Sequence, residues 1–127
     1  MQIMDDPHNP QDFTPLRPVE FEILLVLSGG ESHGYGIIKE AEERSDGAGR
    51  IETGTLYRAL RRLTSIGLVR PTDRRPTPES GDERRRYFAI TPFGKKVAAA
   101  EANRLSAQVD AARARALLSG AEGGGSR

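Results

Sequence analysis

Cysteine is absent from the 127 residues, which excludes disulfides, thiolate metal sites and thiol redox switches. Histidine occurs only at His8 and His33, too few for a histidine-rich metal site. No stretch approaches the ~18 consecutive apolar residues of a membrane span. The opening Met1-Gln2-Ile3-Met4-Asp5-Asp6 lacks the basic and apolar regions of an export signal. A phosphate-cradling loop is missing as well, because Gly120 to Gly124 has neither the following helix nor the lysine of such a loop. Thr55 and Ser65 have no nearby histidine base, so a nucleophilic triad has no candidate members. No catalytic, metal or cofactor site is therefore expected. The chain reads as a cytoplasmic protein that is neither an enzyme nor embedded in a membrane.

What is present suits one modest domain: 36% of the residues are hydrophobic and 29% charged. The net charge is only +1, yet it is unevenly spread. Residues 1–49 sum to −7, residues 50–90 to +5 with ten arginines, and residues 91–127 to +3. Arginine outnumbers lysine 16 to 3. A basic middle in a balanced chain points to an anionic partner there, with a solvated arginine surface as the alternative.

Residues 1–14, polar and without periodicity, are expected to form a mobile arm. From Pro18 the pattern is helical, with Val19, Ile23, Val26 and Leu27 on one face and Ser28-Gly29-Gly30 as the stop. A second helix is predicted from about Gly34 to Arg44, capped by Ser32, burying Tyr35, Ile38 and Ala41, and stopping before Asp46-Gly47-Ala48-Gly49.

The third helix is the clearest. Thr53 is placed to cap it and Gly67 follows its last apolar residue, Ile66. Leu56, Ala59, Leu60 and Leu63 share one face, while Arg58, Arg61, Arg62 and Ser65 share the other and Tyr57 sits on the flank.

Leu68-Val69-Arg70 and Arg86-Tyr87-Phe88-Ala89-Ile90 read as short strands. The intervening Pro71 to Arg85 is too long for a tight hairpin and would project as a basic flap. Thr91-Pro92 then signals a helix start, with the helix continuing to about Leu118. Residues 119–127 are expected to be a disordered tail. Within this last helix Ala98, Ala102, Leu105, Val109, Ala112 and Ala116 form a heptad-like seam. A helix ~40 Å long outreaches so small a core. A partner helix from a second subunit is therefore expected, and folding back on its own core is the alternative.

The order of elements, three helices, two strands around a loop and a long helix, describes a winged helix-turn-helix domain over residues 15–90 with a dimerisation helix over 91–118. The class is mainly α with a small β-hairpin. In such a pair the second helix enters the DNA major groove, and it must be apolar inward and cationic outward, as residues 53–66 are.

The blocks Ser32-His33-Gly34-Tyr35-Gly36-Ile37-Ile38, Thr53-Gly54-Thr55-Leu56-Tyr57-Arg58-Ala59-Leu60-Arg61-Arg62-Leu63, Gly67-Leu68-Val69 and Arg86-Tyr87-Phe88-Ala89-Ile90-Thr91-Pro92-Phe93-Gly94 resemble the signature blocks of the PadR family of bacterial transcriptional regulators. They occur in the family's order and cover roughly residues 16–96. The short C-terminal part is similar to the family's small subclass. The resemblance implies a homodimeric winged-helix repressor on a pseudo-palindromic operator of double-stranded DNA. It also implies that Thr53, Gly54, Thr55, Tyr57 and Arg58 begin the recognition helix. Gly54 would let the backbone approach the duplex, the Thr55 and Tyr57 hydroxyls would suit phosphates, and Arg58 would reach a base edge or phosphate. Arg62 is expected on phosphate and Arg61 on either. Tyr57 could instead be a half-buried core residue. Tyr35 could offer its hydroxyl to a phosphate or pack against the recognition helix. His33 is expected to make a helix-start hydrogen bond, and His8 to be inert.

The flap departs from a compact wing. Asp73, Glu79, Asp82 and Glu83 lie among its arginines, so only Arg74, Arg75, Arg84 and Arg85 near its stems are credible DNA contacts. Family members respond to small aromatic compounds or drugs. Here tryptophan is absent and Phe93 is the sole aromatic residue of the last helix, which argues against an aromatic-stacking pore and leaves room for a smaller apolar effector cavity. A winged-helix protein-interaction module, its arginines meeting an acidic protein, is the alternative reading.

Overall fold

A computed structural model of the chain describes residues 8–45, 50–73 and 86–118. Helix α1 spans Pro18–Ser28, strand β1 Ser32–His33, helix α2 Gly34–Arg44 and helix α3 Thr53–Ser65. Strands β2, Val69–Pro71, and β3, Tyr87–Ile90, precede helix α4, Pro92–Ala114. The three strands form one antiparallel sheet in the order β1-β3-β2.

Pro18 supplies the first residue of α1, and the Arg17 N–H donates to Glu20 Oε1 at 3.2 Å, closing the first turn. The apolar stripe read from sequence is too narrow. Leu24 is as fully buried as Ile23, and α1 packs against α2, α3, α4 and β3. It is the central helix, so it must be apolar around most of its circumference.

The cap of α2 is His33 rather than Ser32. Its Nδ1 accepts the Gly36 N–H at 3.0 Å, while Ser32 lies in β1 opposite Phe88. Ile37 and Ala41 are buried and Ile38 half-buried, whereas Tyr35 is exposed. Residues two apart on a helix point ~200° apart, so burying Ile37 turns Tyr35 outward.

In α3 the buried residues are Leu56, Ala59, Leu60 and Leu63, the face expected. Its N-cap is Glu52, one residue before Thr53, and that cap makes no side-chain bond. The helix stops because Gly67, at φ 83°, takes the left-handed conformation. Its N–H reaches the Thr64 carbonyl, and the Leu68 N–H reaches that of Leu63.

Thr91 joins this stop to the start of α4. Its Oγ1 accepts the Gly94 N–H at 2.9 Å and donates to the Gly67 carbonyl at 2.6 Å, and its N–H donates to the Leu68 carbonyl at 3.0 Å. Helix α4 ends at Ala114, four residues before the expected Leu118, and Ala116 turns left-handed at φ 60°. Leu117 and Leu118 are exposed, so no packing among the described residues draws the helix further.

The expected N-terminal arm is anchored over its second half. Residues 10–13 form a 3-10 turn capped by Asn9, which lies against α4. Phe13 meets Phe93 edge-on at 5.2 Å between ring centroids, and His8 contacts both rings. The reason is apolar: Phe13 and Phe93 are half-buried against the core. Residues 1–7, the Asp46 to Gly49 stop of α2 and the tail over 119–127 lie outside the described residues.

Candidate nucleic-acid interface

Helix α3 rests its apolar face on α1 and α2 and turns Arg58, Arg61, Arg62 and Ser65 to the surface. Thr53 and Gly54 are exposed at its start and Thr55 is half-buried. Arg58 Nη2 donates to Thr55 Oγ1 at 3.3 Å, a link one turn long that aligns the guanidinium with the helix start. Among the described residues neither Arg58 nor Arg61 has a carboxylate within ion-pair distance.

Arg62 differs from its neighbours. Its Nε donates to Glu20 Oε2 at 3.0 Å, and Glu20 is only 1% exposed. A buried carboxylate without partners would be strongly unfavourable. Arg62 on α3 and the Arg17 N–H just before α1 supply those partners, one to each oxygen. Arg62 is thus part of the packing between α1 and α3, although 43% of its side chain remains exposed. The sequence reading placed it on phosphate only. The spacing of Glu20 after Arg17 and Pro18 is a capping-box position and flags the backbone bond, but nothing local flags a partner 42 residues away.

Tyr57 lies on the flank of α3, as its position in the sequence led one to expect. The ring is partly exposed, and its hydroxyl passes so close to Gly34 that a Cβ there would collide with it. Gly34 therefore allows the tyrosine to lie across the α2–α3 junction. The ring of Tyr35 lies nearly parallel to His33, 10° between planes and 6.4 Å between centroids. It is 58% exposed.

Arg70 and Arg86 are exposed beside the sheet; Arg86, read as the first residue of a strand, precedes β3 and was not among the expected DNA contacts. With Tyr57, Arg61 and Phe88 it borders an open cavity of about 500 Å³ between α3 and the sheet. Arg74, Arg75, Arg84 and Arg85 lie outside the described residues. Of the α4 seam, Ala98 belongs to the chain's own core. Leu105 and Ala112 are half-buried, and Ala102, Val109 and Ala116 are exposed.

A second buried carboxylate went unread in the sequence. Glu101 of α4 is 2% exposed and held by Arg104 through two bonds of 2.8 Å. The Arg104 hydrogen bonds, aided by the Leu16 backbone, hold its carboxyl below the usual range against the opposing effect of burial. Among the described residues no group of three His, Asp or Glu side chains could hold a metal. None of the described helices is long and apolar enough to cross a membrane.

Three packed helices, a small antiparallel sheet and an outward cationic α3 define a winged helix-turn-helix domain. The sequence matches the model of the transcriptional regulator PadR-like family over residues 23–100, and the chain belongs to that family. It is similar to a transcriptional regulator from Clostridium thermocellum, with 29% identity and a TM-score of 0.64 over 75% of this chain and 86% of that one. A PadR family transcription regulator from Clostridium difficile gives 25% identity and a TM-score of 0.64, covering 75% and 94% of the two chains. Bacillus subtilis PadR in complex with operator DNA shares the fold at 23% identity and a TM-score of 0.55, over 65% of this chain and 44% of that one. An uncharacterized 37.1 kDa protein in transposon TN4556 of Streptomyces fradiae is 39% identical over 90 residues. The match spans 68% of this chain and 24% of that longer protein.

Proposed function

We propose that the chain is a sequence-specific, DNA-binding transcriptional regulator of the cytoplasm, a repressor that occupies a pseudo-palindromic operator as a homodimer. The observation that carries this reading is the outer face of α3. Arg58 and Arg61 stand exposed beside Thr53, Gly54 and Thr55, while Leu56, Leu60 and Leu63 pin the same helix to the core. A helix ~10–12 Å across fits the major groove, which is ~12 Å wide. Family membership supports the reading. On it, Arg58 reads a base edge or phosphate and Arg61 contacts the backbone or a base. Arg62 contributes through the exposed part of its side chain, and the hydroxyls of Thr55, Tyr57 and Tyr35 face phosphates. On the same reading Arg74, Arg75, Arg84 and Arg85 are contacts to phosphates or the neighbouring minor groove. The α4 seam from Ala102 to Ala112 meets its copy, and a small apolar or aromatic effector releases the complex.

The test is fluorescence anisotropy on the DNA upstream of the coding region, against a scrambled duplex, over a range of salt. Specific binding that weakens steeply with salt through counterion release is expected. Arg58→Ala should weaken it by ~1–3 kcal/mol if the contact to a base is bidentate. Recovery of an acidic protein in a pull-down, with no preference for any duplex, would replace this reading with the protein-interaction module.

A further inference from the structure

Between the start of α1 and the outer face of α3 lies a notch of about 210 Å³. Arg17, Arg58 and Arg62 border it together with Thr55, and the buried residue Glu20 lies beneath them. Arg17 precedes α1 and its side chain is 71% exposed. Its Nη1 stands 3.9 Å from Glu20 Oε2, the oxygen that already accepts from Arg62 Nε at 3.0 Å. Arg58 enters through the bond of its Nη2 to the Thr55 hydroxyl.

Three arginines thus border the notch, and two of them, Arg17 and Arg62, stand within 4 Å of its one carboxylate. The carboxylate is inaccessible, so an arriving ligand meets an excess of two positive charges and a hydroxyl. Such a set selects a compact anion with several acceptor oxygens. Its location narrows the choice. The notch continues the face on which Thr55 and Arg58 sit, so a duplex seated on α3 brings a strand of its backbone against the start of α1.

We propose that this notch is a phosphate clamp for one phosphodiester of the bound DNA. Arg17 is its outlying ligand, and Glu20 is a positioning residue that orients Arg62 from beneath. The inference rests on the DNA-binding reading and extends the contact surface from α3 to a residue before α1. Because the clamp holds backbone and no base edge, it adds affinity for any duplex rather than preference for one.

The experiment compares the full-length protein with Arg17→Ala, and with Arg113→Ala on α4 as a charge-matched control. Both are titrated onto operator and onto unrelated duplex. Arg17→Ala is expected to weaken both complexes by a similar several-fold factor and to reduce the salt slope by about one unit. Its thermal midpoint should stay near wild type, since Glu20 retains Arg62. Replacing successive operator phosphates with neutral methylphosphonates supplies the second arm. One position should weaken wild type but leave Arg17→Ala no weaker than before. An unchanged salt slope in Arg17→Ala, or no such position, overturns the clamp while leaving the regulator reading intact. Wild type that prefers no duplex overturns the regulator reading itself. Inorganic phosphate that binds wild type tightly in calorimetry, with DNA affinity indifferent to Arg17→Ala, overturns the clamp in favour of a free-phosphate site.

Discussion

Arg61 and Arg62 carry the same side chain on adjacent positions of α3, yet they have different surroundings. Arg61 has no carboxylate partner among the described residues, while Arg62 neutralises the buried Glu20. Arg62→Ala should therefore lower both stability and DNA affinity. The stability loss is expected within the ~1–3 kcal/mol of an unsatisfied buried group, toward the lower end because Arg62 is partly exposed and Arg17 remains nearby. Arg61→Ala should weaken DNA binding and leave the denaturation midpoint unchanged. Glu101 makes a prediction about pH. Its carboxyl is held below the ordinary carboxylate range by Arg104, so the folded state binds that proton less readily than the unfolded chain. Its stabilisation is complete above the unfolded value of ~4.3 and is lost as pH falls through the lower folded value. Urea titrations from pH 6 down to pH 3 should show a smaller acid-induced loss in Glu101→Gln than in wild type.

At the scale of elements, the wing and the recognition helix are joined through one small junction. The left-handed Gly67 ends α3, and Thr91 caps α4 while bonding the Gly67 and Leu68 carbonyls. Gly94 then lets the first turn of α4 lie directly on the Leu68 backbone, where an added Cβ would collide with the carbonyl oxygen. A backbone oxygen inside such a junction cannot rotate aside. Gly94→Ala is expected to destabilise the protein by at least the ~1–3 kcal/mol of ordinary overpacking, measured as a shift in the urea midpoint. Thr91→Ala would remove a helix cap and a bond to the end of α3 together. Its expected loss is ~1–2 kcal/mol.

At the scale of the whole molecule, the outer half of α4 has apolar side chains and no core of its own. Leu105 and Ala112 are half-buried, and Val109 is 43% exposed. A second copy of the helix would cover them, and two α3 helices sharing one duplex must then stand about one turn, ~34 Å, apart. Light scattering should then give twice 13.9 kDa. Leu105→Glu combined with Val109→Glu should give monomers that lose operator affinity while keeping the far-ultraviolet spectrum of the folded chain. A dimer that survives both changes would move the interface elsewhere, with the 3-10 turn and α1 as the next surfaces to probe.

Much of the architecture was legible in the chain because it depends on local rules. The 3.6-residue spacing of Leu56, Ala59, Leu60 and Leu63 set the inward face of α3. Gly67 set its end, and Thr91-Pro92 set the start of α4. The same periodicity turned Arg58 and Arg61 outward. Tertiary structure alone decided the features that join distant segments. The two-residue β1 has too short a pattern to read. The burial of Leu24 follows from helices packing around α1, and the exposure of Tyr35 follows from Ile37 taking the inner position. The partnership of Glu20 with Arg62 joins residues far apart in sequence, as does the anchoring of Phe13 on Phe93. Periodicity reports which side of a segment is apolar. Which distant charge lies beneath it depends on how the segments are stacked, and that emerges only when the chain is folded.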